Sequence, residues 1–289
     1  LSFFLIIFIF IFFAIEKKSR SRSRFNIPSR GYRTVEKIKL NGKIKWLAFS
    51  VLFMLFFFSF IFPVSQMLFW ILKFPNNFNF LNLLDLTLNT CKLVLFTTII
   101  LILLSFITNY GMRISESKFL NVVTSFSVSG YAIPGIILAV TLLGFISFVS
   151  NYFNNDGLKI FFIGTVFGLV VAYCVRFYSL AINGIKTGYD KLNKSLDDVS
   201  YLMGNSKLGT FLNVHFPFLK QNLILIGMLV SIDILKELPL TLILRPYNFE
   251  TFATQAYVFA SQDMLEFTAG PSLFLILFAS LIILISRKN

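Results

Sequence analysis

Long apolar runs, near 1–15, 46–72, 87–109, 120–150, 158–178, 222–243 and 268–286, alternate with short polar and charged stretches along the whole chain. A helix needs roughly 20 apolar residues to cross a hydrocarbon core, so this pattern predicts an all-α, polytopic membrane helix bundle. Seven crossings follow, the first too short to span comfortably. The chain opens on Leu1, and its basic residues follow the first apolar run instead of preceding it as a signal peptide requires. Residues 1–15 are therefore read as the end of a preceding transmembrane helix, 16–45 as a basic cytoplasmic linker between two membrane halves, and 46–289 as the membrane domain.

Composition agrees with that pattern: 56% of residues are hydrophobic, 38 are phenylalanine and only 13% are charged, against about a quarter charged in soluble domains. A net charge of +13 invites a nucleic-acid reading, and the placement of the charges argues against it. Of 26 Lys and Arg, 11 lie in 16–45, two in 110–118, six in 176–221 and two at the end, which puts them on alternate loops. By the positive-inside rule 16–45, 110–118, 179–221 and the C-terminus are cytoplasmic. The run Lys17, Lys18, Arg20, Arg22, Arg24 is then a topology anchor on anionic lipid. Cys91 and Cys174 fall in predicted membrane helices on different sides, in no metal-ligand or redox spacing. The single histidine, His215, has no partner cluster and is expected at the surface. No phosphate-binding loop, zinc-protease pair or dinucleotide turn appears, so the chain is expected to bind no cofactor and to take its energy from elsewhere.

One polar segment, 190–217, is stranded between apolar runs. Ser195 stands three residues before Asp198, a capping-box spacing that starts a short helix with Asp197 and Asp198 at its positive end. Gly204 suits a left-handed helix stop, Ser206 can cap a second short helix, and Pro217 is expected to end it. The expected product is a helix-turn-helix knob presenting an acidic residue. Asp198, Val199, Ser200, Gly204, Val214, Phe216 and Pro217 resemble, in spacing, the "EAA" docking loop of ABC-transporter permease subunits. Asp for Glu, and Val and Ser for the two alanines, depart from that pattern. The resemblance implies that the knob sits in a cleft of an ATP-hydrolysing subunit, with Asp198 facing a basic group. The alternative is a solvated amphipathic loop.

A second segment, Asp233 to Thr254, carries Lys236, Glu237, Pro239, Arg245 and Pro246. It resembles the "KELP-TL-LRP" stretch of ferric-iron ABC permeases, as do Gly130-Tyr131-Ala132-Ile133-Pro134-Gly135 and Tyr173-Cys174-Val175-Arg176-Phe177. In 222–243, 14 aliphatic or Met residues favour insertion by about −4 to −8 kcal/mol, while Asp233, Lys236 and Glu237 oppose it by roughly 8–10. Such a helix has to turn its charges to a bundle interior, a partner charge or water. Lys236 can cancel one acid locally, and Arg176, at the end of 158–178, is a candidate partner for the other. Pro239 is expected to kink or break the helix. These residues read either as the wall of a translocation path or as an interhelical ion-pair lock with no contact to cargo. Gly130, Pro134 and Gly135 read as a rocking gate or as a helix start at the membrane surface. Gly164 and Gly168 form a G-x-x-x-G pair that suits helix packing.

The resemblance implies a type I ABC-importer permease domain of about six transmembrane helices, the C-terminal half of a fused two-repeat permease for ferric iron. It implies a dimer of ATPase subunits that use the ATP, a periplasmic ferric-binding protein docking on 73–86, 150–157 and 244–267, and a bacterial inner-membrane location. A second docking loop is expected upstream of Leu1. No catalysis and no nucleic acid are expected. An ABC permease for another anion, metal or small organic cargo is the nearest alternative. An ion-coupled secondary transporter, with Asp233, Lys236 and Glu237 as its relay, is the other.

Overall fold

The computed structural model describes residues 40–75, 80–115 and 118–288. The helix end expected at 1–15, and the linker at 16–45 up to residue 39, lie outside these residues. Two compact units divide the chain, Leu1–Gln66 and Met67–Asn289. The first unit shows α1 (Gly42–Phe56) and a π-helical turn, Phe57–Ile61, and the helix continues as α2 (Phe62–Lys73) into the second unit. It is apolar all round and carries no buried side chain. Phenylalanines one turn apart stack along it, Phe49 on Phe53 at 6.0 Å and Phe56 on Phe60 at 5.5 Å.

The second unit continues with α3 (Phe80–Ser115), α4 (Lys118–Ser127), a 3-10 turn (Val128–Ala132), α5 (Gly135–Tyr152), α6 (Asp156–Phe162) and α7 (Val166–Tyr189). Then follow α8 (Ser195–Leu202), α9 (Lys207–Thr210), a π turn (Phe211–His215), α10 (Phe216–Leu235), α11 (Pro239–Leu244), α12 (Phe252–Ser261), a 3-10 turn (Leu265–Thr268) and α13 (Ala269–Lys288). Leu93 and Leu101 of α3, Leu169, Ala172 and Tyr173 of α7, Val230 and Ile234 of α10 and Leu240 of α11 form one buried core. Small residues set the α7–α10 spacing: a Cβ at Gly184 would meet Ile226, and one at Gly188 would meet Leu219 and Asn222.

Six helical runs among the described residues are long and apolar enough to cross a membrane: Gly42–Lys73, Leu81–Ser115, Gly135–Tyr152, Val166–Tyr189, Lys207–Leu235 and Leu265–Ser286. Each corresponds to one expected crossing, but three differ in extent. The run 120–150 is not one helix: it breaks at Ile133 and Pro134, and the crossing begins at Gly135. The run 158–178 breaks after Phe162, and α7 continues to Tyr189. Arg176, counted above among the inner-loop charges, therefore lies within the crossing. The run 222–243 breaks at Lys236, and its helix begins upstream at Lys207.

Pro217 does not end a helix. It occupies the first turn of α10, directly after a π turn in which the Phe216 amide reaches the Phe211 carbonyl. Proline lacks the amide that would bond four residues back and its ring crowds that carbonyl, and the wider π turn accommodates both effects. Pro63 follows the π turn Phe57–Ile61 in the same way.

The pair Gly164 and Gly168 is likewise not a packing face on one helix. Gly164 lies in the break with φ +71°, and Gly168 sits where a Cβ would run into the Phe162 carbonyl. Thr165 caps α7 by accepting from the Gly168 amide at 3.2 Å. Gly168→Ala should therefore destabilise the detergent-solubilised protein by about 1–3 kcal/mol. Gly144→Ala, which meets nothing within 4 Å, should leave thermal unfolding unchanged or raised, and equal effects of the two would refute this packing account.

Candidate functional site

Two clusters of the second unit gather most of the residues singled out above. The first lies where the chain leaves helical geometry twice, at Ile133–Pro134 and at Lys236–Leu238. Each break frees backbone groups that water cannot be assumed to reach, and Arg176 and Glu237 answer part of that demand. The Arg176 guanidinium donates from Nη1 to the Ile133 carbonyl at 3.2 Å. Its Nε lies 3.3 Å from Glu237 Oε2, an ionic contact without the alignment of a hydrogen bond. The other oxygen, Glu237 Oε1, accepts from the Leu240 amide at 3.3 Å in the first turn of α11. The Glu237 carbonyl accepts from the Thr241 hydroxyl at 2.8 Å, and that hydroxyl also meets the Tyr173 hydroxyl.

Glycines make this assembly possible. A Cβ on Gly135 would fall 2.8 Å from Arg176 Nη1, 2.9 Å from Glu237 Oε1 and 3.2 Å from Pro239 Cβ, and one on Gly130 would strike the Val175 carbonyl. Pro239 occupies the first turn of α11, where its missing amide costs nothing. The remaining charges pair beside this group: Lys236 Nζ stands 2.6 Å from Asp233 Oδ1, and the Tyr131 hydroxyl donates to Asp233 Oδ2 at 3.3 Å. Lys236 is 62% exposed, whereas Glu237 is 7% exposed. A cavity of about 330 Å³ beside them is lined by Tyr131, Ser179, Asn183 and Thr187 among others. Gly130, Pro134, Gly135, Arg176, Asp233, Lys236, Glu237 and Pro239 thus converge, and Arg176 takes the charge left over by Lys236. Arg245 does not join them. It pairs with Glu250 beyond α11, near a cavity of about 410 Å³ lined by Asn82, Asp85, Asn89, Asn248 and Gln255.

The second cluster is the knob. Asp198 and Val199 are exposed on α8, Ser200 is buried and shares a 2.9 Å hydrogen bond with Thr210, and Gly204 adopts φ +84°. Ser206 accepts from the Gly209 amide at 3.1 Å and so caps α9. Val214 is half-buried in the π turn. Ser195 does not cap α8; the side-chain oxygen of Asn193 instead accepts from the Ser195 amide at 3.3 Å. Leu202, Met203 and Leu208 stand 88%, 78% and 69% exposed, an apolar tip next to Asp198.

Residues that the sequence patterns did not bring forward hold this knob in place. Asp197 receives Arg113 Nε at 2.7 Å and lies 2.8 Å from His215 Nε2. His215 is fully buried between Tyr110 and Tyr189, not at the surface as expected. The signal was present in part: Asp197 is the more amino-terminal acid in the first turn of α8, and Arg113 is the first charge after an apolar run. Partial burial would raise the Asp197 carboxyl, but the hydrogen bonds from Arg113 and His215 outweigh it and hold the group below its ordinary value.

No family model matches the chain. The fold is an all-α polytopic membrane bundle that resembles an ABC-transporter permease. One curated relative is similar at 22% identity over 158 residues, 55% of this chain and 29% of the relative: the Fe(3+)-transport system permease protein FbpB 2 of Haemophilus influenzae. The match thus spans under a third of that relative's length. Two solved structures superpose with TM-scores of 0.64 and 0.63 at 15% and 14% identity, each covering 85% of this chain and 95% and 94% of the other. One is a bacterial ABC transporter involved in import of the acidic polysaccharide alginate, the other a bacterial alginate ABC transporter in complex with a periplasmic protein bound to an alginate pentasaccharide.

Arg176→Gln should destabilise the protein by about 3–5 kcal/mol, because it strands the Glu237 carboxylate. The double change Arg176→Met, Glu237→Met should recover much of that loss, and thermal unfolding in detergent of all three forms checks the pair. For Asp197 the sign follows from its depressed folded value. Its stabilising contribution is complete above the unfolded value of about 3.9 and is lost as pH falls through the folded one. The deficit of Asp197→Asn relative to wild type should therefore be full near neutral pH and shrink in strong acid; a deficit independent of pH would exclude a charged Asp197 as its source.

Proposed function

We propose that this chain is a permease segment of an ATP-driven ABC importer, with ferric iron as its cargo. The observation that carries the coupling role is the knob: a short helix pair on a left-handed glycine, with an exposed acid beside an exposed apolar tip. Such a surface, at the end of membrane-length helices, suits the cleft of an ATPase subunit. Two ATPase subunits bind and hydrolyse ATP, and the knob passes their closure to the helices; the chain itself performs no covalent chemistry. A periplasmic ferric-binding protein delivers the ion at the opposite face. The iron relative supports the cargo, and the alginate transporters, similar in fold, keep another cargo as the second reading.

Its likeness to bacterial permeases supports a bacterial inner membrane, and the distribution of basic residues favours a knob and C-terminus in the cytoplasm. The chain serves as the C-terminal half of a fused permease whose other half carries its own docking loop. The exposed Lys236, paired with Asp233 and Tyr131, favours a covered position, since a Lys facing lipid is costly. The second permease half and the path between the halves would cover it. Alternating access then follows from rocking at the two helix breaks. The same pairing weighs against a proton relay, because each acid of the group already faces a cation.

Gly204→Val places a β-branched residue at φ +84° and should abolish uptake of radiolabelled ferric iron by cells expressing the parent chain with its partners. Asp198→Lys should do the same with the protein still in the membrane. Normal uptake in both variants rejects the coupling role. Iron-independent ATPase activity that responds to another loaded binding protein rejects only the cargo.

A further inference from the structure

We infer that Arg113 is a positioning residue that joins the knob to the ends of α3, α7 and α10, so that all four move as one rigid piece. This inference rests on the coupling role proposed above and says where the movement goes. Arg113 lies in the last turn of α3, and its guanidinium reaches three other parts of the chain. It donates from Nε to Asp197 on α8 at 2.7 Å, from Nη1 to the carbonyls of Leu192 at 3.1 Å and Tyr189 at 3.4 Å, and from Nη2 to the Asn193 carbonyl at 3.0 Å. Those carbonyls belong to the end of α7 and the connection leading to the knob, so a cation there also meets the negative end of a helix. Asp197 in turn holds His215 at the base of α10.

The contact is largely shielded from solvent. The Arg113 and Asp197 side chains are 10% and 15% exposed and His215 is 0% exposed. Rings fill the remaining space: Phe106 of α3 lies 4.4 Å from Phe211 and Tyr110 lies 4.7 Å from it, centroid to centroid. The Tyr110 hydroxyl also donates to the Lys207 carbonyl at the start of α9. Neither connection of the knob offers a joint. The entry, 190–194, has the carbonyls of Leu192 and Asn193 held by Arg113, and the exit passes from α9 through the π turn into α10 without leaving helical geometry. Movement received at the tip is therefore delivered whole to three membrane helices, and bending is left to the breaks at 133–134 and 236–238.

The test is a distance measured by pulsed electron paramagnetic resonance in the assembled transporter, with spin labels on Ser115→Cys and Ser195→Cys in a Cys91→Ala, Cys174→Ala background. The distance should be the same in the nucleotide-free and ATP-bound states. Arg113→Gln should broaden its distribution and lower uptake by about tenfold while the ATPase subunits stay bound, and Arg113→Lys should restore part of both. His215→Gln, which keeps a donor facing Asp197, covers the case in which Arg113→Gln does not fold, and it should broaden the distribution less. If the ATPase subunits copurify and the wild-type distance shifts by several ångström with ATP, the rigid connection is wrong and the coupling role stands. An unchanged distribution in Arg113→Gln overturns it equally. If no ATPase subunit copurifies, the coupling role falls and this inference with it.

Discussion

A guanidinium inside a helix that is otherwise long and apolar enough to cross a membrane has to be met by something, and Arg176 is met by two interruptions in neighbouring segments. The Ile133 carbonyl is available because the chain stops being helical before Gly135, and Glu237 is available because α10 stops at Leu235. Neither break would be tolerable alone, since each leaves backbone groups and, at Glu237, a charge in an apolar setting. Brought together around Arg176, with Gly130 and Gly135 giving room for the approach, they satisfy one another. The core of α3, α7, α10 and α11 is then arranged around a polar centre that fixes where each segment must end.

Arg113 plays a comparable part at the end of α3, and the two arginines differ in a way that matters mechanically. The Arg113 contact to Asp197 is short, aligned and reinforced by three carbonyls. The Arg176 contact to Glu237 is longer and unaligned, and its neighbour Lys236 is largely exposed. A charge pair of the first kind resists separation because every donor loses a partner at once. One of the second kind leaves a smaller difference between alternative arrangements, as a bistable element requires.

Much of this was legible from sequence, and the losses have identifiable causes. Apolar run lengths gave the crossings, and the stop at Gly204 and the cap at Ser206 followed from local chemistry. Charge cancellation along 233–237 made Arg176 a candidate partner for one leftover acid, and the structure shows that acid to be Glu237. Hydropathy could not see the breaks within 120–150 and 158–178, because apolar residues continue through them and the interruption lies in the backbone. Pro217 misled because the clash that makes a proline break an α-helix is relieved here by the π turn before it. His215 misled because a lone histidine has no sequence neighbour to announce its partner. Asp197 is 18 residues away and Arg113 comes from another helix altogether.

The docking pattern drew attention to Asp198, yet the adjacent acid carries the architecture. Successive residues on a helix lie about 100° apart, so two neighbouring carboxylates in the first turn of α8 cannot both face inward. One can anchor the helix while the other remains at the surface, and the structure assigns the roles by position: Asp197 is turned to Arg113 and His215, and Asp198 is exposed beside the apolar tip. The division separates two demands that a single acid would place in conflict. An anchor must be desolvated and partnered within the chain, whereas a group that recognises another subunit, the role proposed above for Asp198, has to keep its hydrogen-bonding capacity free. A knob with only the outer acid would present the right chemistry on an unsupported loop, and a knob with only the inner one would be rigid with no charge to offer.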